Sequence, residues 1–153
     1  TDGKRTRCVK TLGAKREQGI RYGMRVAIVG SRPPDPDSPT HYFGEFKLIE
    51  KAVHKLVDSL PLTTIVISGG ARGVDQIAAS RARKRCLLVC EYLPDWTTYG
   101  KFAGLMRNTT IIRNSDMVHA FVSTWCRGTY DSISKAAKES KPCHKHDVRL
   151  DDE

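Results

Sequence analysis

The sequence predicts an α/β fold, an open and mostly parallel sheet with helices on both faces. Short apolar, β-branched runs recur along the chain, closed by glycine, proline or polar residues. Segments with apolar residues at helical spacing fall between them. Strand and helix alternating at this interval make βαβ units, and such units require a parallel sheet. The 153 residues suffice for one domain, which at this length buries about two-thirds of its unfolded surface.

Arg25–Val29 reads as the first strand, ending at Gly30. Pro33–Pro39 holds too many prolines for a helix interior or central strand, so it is a loop. Phe43, Phe46, Ile49, Val53, Leu56, Val57 and Leu60 then follow at helical spacing, with Thr40 as the expected N-cap and Pro61 closing the helix. Thr64–Ser68 is the second strand, ending at Gly69 and Gly70, and a helix over Val74–Lys84 follows. Leu87–Tyr92 is the third strand, with Cys86 and Cys90 expected on one buried face. After the loop Pro94–Gly100 come a helix over Lys101–Asn114, a fourth strand over Met117–Val122 and a helix over Tyr130–Glu139. An edge strand is expected around Val148–Leu150, before an acidic end. The expected organisation is a basic, mobile arm over 1–24 and a single domain over 25–150.

The chain carries 26 Lys and Arg against 17 Asp and Glu, a net +9. Eight of those basic residues and only two acidic ones, Asp2 and Glu17, lie within 1–25. An arm of this kind docks on polyanions or is simply solvated. With 39% hydrophobic and 28% charged residues, wholesale disorder is excluded. No apolar run approaches the roughly 20 residues of a membrane span, so no membrane partner is expected. Five scattered cysteines fit free thiols in a reducing compartment, hence a cytoplasmic protein.

In an open parallel sheet, ligands bind beyond the carboxyl ends of the strands. Four polar loops fall there and make one cleft: Gly30-Ser31-Arg32, Gly69–Asp75, Asp95–Lys101 and Arg127–Thr129. Ser68-Gly69-Gly70-Ala71-Arg72-Gly73-Val74-Asp75 combines a tight turn, the free N–H groups of a helix start and an arginine, a composition suited to an anion. The same residues also read as a plain βα turn, with Asp75 capping the helix and Arg72 solvated. The stretch is neither a P-loop nor a strict dinucleotide fingerprint. Gly128 and Thr129 offer a second phosphate or ribose contact, or merely an N-cap. Arg107 and Asn108 matter only if their helix borders the cleft. Trp96 and Tyr99 are base-stacking candidates, or packing residues.

Residues 66–75 (Val-Ile-Ser-Gly-Gly-Ala-Arg-Gly-Val-Asp), 94–108 and 116–129 occur in the order seen in a known group. In these motifs the chain resembles the YspA/YpsA-like branch of the SLOG superfamily, relatives of lonely-guy proteins and DNA-processing protein A. The resemblance implies a Rossmann-like sheet and a site for a nucleotide or a nucleotide derivative, ADP-ribose- or NAD-like or a nucleoside phosphate. The matching positions are Gly30, Ser31, Arg32, Gly69, Gly70, Arg72, Gly73, Asp75, Lys101, Arg107, Asn108, Gly128 and Thr129. Ser68 and Ala71 complete the glycine loop. One departure bears on activity. Catalytic lonely-guy proteins carry a glutamate where this chain has Ser132, and Asp131 lies one residue early, about 100° around the helix.

A sensor or binding module is therefore expected, with no turnover and no cofactor. A nucleotide N-glycosidic hydrolase is the alternative, with Asp75, Asp95 or Asp131 as its carboxylate. Single-stranded nucleic-acid binding is a third reading, resting on the arm. The expected partners are a nucleotide-type small molecule, weakly held nucleic acid and a second copy of the chain. Cys143, His144 and His146, with Cys8, lack the second close pair a tetrahedral site needs, so no metal is expected. Cys126, beside Arg127, reads as a low-pKa thiol or a core cysteine.

Overall fold

Val26, Ala27, Ile28 and Val29 are all buried, so the strand they form is covered on both faces, as in a parallel sheet. It is the central strand of a computed structural model that describes residues 7–12 and 22–148. The strands are β1 (Arg7–Leu12), β2 (Arg25–Gly30), β3 (Ile65–Ser68), β4 (Leu88–Leu93), β5 (Met117–Val122) and β6 (Cys143–Asp147). The helices are α1 (Thr40–Ser59), α2 (Val74–Lys84), α3 (Trp96–Tyr99), α4 (Ala103–Arg113) and α5 (Thr129–Lys138).

The sheet order is β1-β4-β3-β2-β5-β6. The strands from β2 to β6 are mutually parallel, and β1 runs antiparallel along the edge of β4. From β2 the chain moves outward through β3 and β4, then crosses back to β5 and β6. The order therefore reverses between β2 and β5, and a crevice opens at their carboxyl ends.

The two-residue period of β2 divides the core. Val26 and Ile28 face α1 and α2, packing with Ile49, Val53, Val74 and Phe121. Ala27 and Val29 face α4 and α5, with Ile111, Ile112 and Ala136.

Several elements differ from expectation. Within the segment read as an arm, residues 7–12 form β1, with Arg7 opposite Leu93 and Leu12 opposite Leu88. Most of that segment, 1–6 and 13–21, lies outside the described residues. The C-terminal edge strand is Cys143–Asp147, not 148–150, of which 149 and 150 lie outside the described residues. Its ladder with β5 supplies what the strand's own polar sequence does not advertise. The helix expected from Lys101 is interrupted: Gly100, at φ 54°, separates α3 from a 3₁₀ turn, and α4 begins only at Ala103. Thr40 is the first helical residue and no side chain caps that end, because Pro39 occupies the cap position. Cys86 sits in the turn before β4 at φ 63° rather than on a strand face. Cys86, Cys126 and Cys143 are free, but Cys90 is disulfide-bonded, contrary to the expectation of thiols throughout.

Candidate functional site

A cavity of about 610 Å³ fills the crevice between the ends of β2 and β5, walled by the turns after both strands and by α4. Its floor is fixed by short bonds between loops. Ser31 donates its N–H to the Phe121 carbonyl (3.1 Å) and accepts at its own carbonyl from Val74 N (3.0 Å). Its hydroxyl bonds that of Ser123 at 2.6 Å, joining the two turns. Gly73 makes this closeness possible. It sits at φ 94°, and a Cβ there would lie 2.3 Å from the Ser31 oxygen.

Asp75, on the first turn of α2, lies in the cavity wall and is only 6% exposed. Its carboxylate does not cap the helix: Oδ2 accepts from Ala71 N (3.2 Å) and holds the glycine loop. Burial pushes this carboxyl up to about 6, against the opposing pull of the Arg107 guanidinium and the Ala71 and Gly69 N–H groups. Arg107 itself is 9% exposed and donates from Nη1 to the Gly69 carbonyl at 2.6 Å. Burial lowers its pKa first, Asp75 counters, and Arg32 acts on it as a like charge. The helix carrying Arg107 and Asn108 thus borders the cleft. Asn108 donates to Asp131 (3.1 Å), which also takes Lys135 Nζ at 2.8 Å.

The opposite wall comes from residues that the sequence did not single out. Buried Glu45, on α1, accepts from Thr124 N at 2.8 Å and from its hydroxyl at 3.0 and 2.9 Å. Trp125 Nε1 donates to the Arg32 carbonyl at 2.9 Å, and its ring stacks on Tyr42 with centroids 4.8 Å apart. Together they tie the turn after β5 to the proline loop. A buried carboxylate at an apolar helix position, Glu45 between Phe43 and Phe46, is the one local signal that could have pointed to it.

The expected residues do not all converge. Gly30, Ser31, Arg32, Ala71, Asp75, Arg107, Asn108, Gly128 and Thr129 line the cavity. Gly69, Gly70 and Arg72 line a neighbouring depression instead. Ser68 and Gly73 lie behind the glycine loop; Ser68 Oγ accepts from Gly70 N at 3.2 Å. Lys101 lines neither cavity and sits 5.2 Å above the Phe102 ring. Asp95 caps α3 through Thr98 N, which holds its carboxyl below the usual range. With Asp131 paired to Lys135, Asp75 is the one of the three catalytic candidates in the cavity wall. Cys126 and Arg127 join the lining. Among the described residues no three His, Cys, Asp or Glu side chains group as metal ligands. His119, read as a strand residue without a partner, bonds His146 ring to ring at 2.9 Å. No described helix is long and apolar enough to cross a membrane.

The chemistry offered is that of an anion and hydroxyl binder. Arginines supply forked donors, the start of α5 supplies N–H groups, and Asp75 accepts.

A model of the YspA, cpYpsA-related SLOG family matches residues 24–99. No curated protein matches the chain. Among solved structures it is similar to DNA processing protein A from Helicobacter pylori, described for its single-stranded DNA binding mode (TM-score 0.55, 23% identity, 83% of this chain and 66% of that one). It is also similar to DNA processing protein A from Streptococcus pneumoniae (TM-score 0.52, 20% identity, 84% and 52%). The chain thus spans 66% and 52% of their lengths, and at these identities the likeness is one of fold.

Proposed function

The chain belongs, through residues 24–99, to the YspA, cpYpsA-related SLOG family, and on that premise we propose that its cleft binds a nucleotide or nucleotide derivative as a binding module. One observation carries the reading. A buried arginine, Arg107, shares the wall of the switch-point cavity with the first residues of α5 and with Asp75. Guanidinium and helix N–H groups suit a phosphate, and a buried carboxylate suits ribose hydroxyls. Calorimetry and thermal-shift measurements with AMP, ADP and NAD test it. Binding raises Tm by mass action, and Arg127→Ala, an exposed position, removes the shift without unfolding the protein. No response to any of the three at millimolar concentration contradicts the reading.

The likeness to a protein described for its single-stranded DNA binding favours one other reading, a strand lying across the same cleft. Fluorescence anisotropy with a labelled oligonucleotide separates the two. Binding through scattered basic residues falls steeply with salt and ignores added AMP. A strand held in the cleft survives physiological salt and is displaced by AMP.

A further inference from the structure

We infer that the cleft has a second lobe, and that the two lobes together take a dinucleoside pyrophosphate, two nucleosides joined through a pyrophosphate bridge. This rests on the nucleotide reading above and names its ligand class. Beside the first cavity lies a depression of about 460 Å³, bounded by the glycine loop, the proline loop and Trp96. Arg32, Pro33, Asp35, Ala71 and Arg107 line both, so the two volumes share a wall rather than standing apart.

Size points to two units. Cavities for small ligands run from about 300 to 1,000 Å³. Each lobe, at about 610 and 460 Å³, falls in that range alone. A nucleoside monophosphate in the first leaves the second open.

Charge points to the bridge. The walls of the two lobes hold four arginines, Arg32, Arg72, Arg107 and Arg127, against Asp35 and Asp75. Neither Arg32 nor Arg72 has an ion pair among the described residues. Arg32 and Arg107, like charges in the shared wall, repel unless an anion lies between them. An excess of two positive charges answers the two negative charges of a pyrophosphate. A phosphodiester would leave one unmet.

The outer lobe is built for a ring. Leu93, Pro94 and Trp96 line it, and Trp96 is 56% exposed with no other ring against it. An open indole beside an arginine is a stacking platform for a base.

The test is calorimetry on the full chain with AMP, diadenosine pyrophosphate and oligodeoxyadenylate. Diadenosine pyrophosphate is expected to bind at least about tenfold tighter than AMP, one stacked base being the difference. Trp96→Ala removes roughly that factor for the dinucleotide and leaves AMP unchanged. Arg72→Ala weakens the dinucleotide more than AMP. Equal affinity for AMP and the dinucleotide overturns the second lobe while leaving the nucleotide reading standing. Failure of both to bind overturns the nucleotide reading itself. An oligodeoxyadenylate that binds more tightly than the dinucleotide, and loses that advantage in Trp96→Ala, assigns the outer lobe to a strand and overturns the inference.

Discussion

Glu45 and Thr124, separated by 79 positions, are joined by three hydrogen bonds of 2.8 to 3.0 Å beneath the wall of the cleft. The carboxylate is 3% exposed, so its acceptors are withheld from water and answered by the turn after β5. Glu45→Ala strands the Thr124 N–H and is expected to destabilise the fold by about 1–3 kcal/mol. Urea unfolding measures the loss. Nucleotide affinity falls with it, because Trp125 and Arg127 follow Thr124 directly. An unfolding midpoint equal to wild type would contradict this role.

The two glycines at the helix starts predict opposite outcomes. Gly73 has φ 94° and no room for a Cβ beside Ser31, so Gly73→Ala costs about 1–3 kcal/mol in strain before any clash is relieved. Gly128 has φ −67° and nothing within 4 Å of a Cβ, so Gly128→Ala leaves Tm close to wild type. Thermal unfolding of the two variants side by side decides whether the first turn is as tight as described.

Asp75 makes ligand binding depend on pH. Its carboxyl is raised from 3.8 to about 6, mainly by burial. As pH falls through 6 the folded protein takes up this proton, Arg107 loses its anionic neighbour, and the cavity becomes more positive. Affinity for AMP is therefore expected to rise between pH 7 and pH 5, with the midpoint near 6. Calorimetry across that range checks it, and Asp75→Asn flattens the profile.

The stack of His119, His144 and His146 acts on stability instead. His119 faces His144 and His146 on β6, with ring centroids 4.9 and 5.1 Å away. Burial, then His146 and His144, lowers His119 from 6.5 to about 4, and His146 is lowered as well. With the folded value below the unfolded one, the unfolded chain takes the proton first. The stability held by neutral His119 is whole above 6.5 and lost as pH falls to about 4. The loss is about 1–3 kcal/mol. Asp75 works the other way, its contribution whole below 3.8 and gone above 6. Comparing His119→Phe with wild type by urea unfolding at pH 7 and pH 5 isolates the histidine part, and the variant is expected to lose less on acidification.

The four inner strands were legible because a strand buried on both faces must be apolar throughout, and β2 and β5 are. The edges were not. Arg7–Leu12 and Cys143–Asp147 are polar segments that become strands by pairing with β4 and β5, which no local pattern reveals. The site divides similarly. Glycine loops and helix starts are local features, and Gly30, Asp75 and Gly128 could be named from them. Whether Arg107 was solvated or structural turned on its contact with Gly69, 38 positions away. Asp95 and Asp131 were chemically eligible carboxylates, and only their partners, Thr98 and Lys135, remove them from the cleft.

The central claim is that a nucleotide occupies the crevice between β2 and β5. Backbone amide NMR of the full chain during titration with AMP tests it most directly. The account predicts that Ser31, Ala71, Gly128 and Thr129 shift together, with one saturation curve, while the amides of β6 stay in place. Saturable shifts confined to basic surface residues away from the cavity, or none at millimolar AMP, would contradict it.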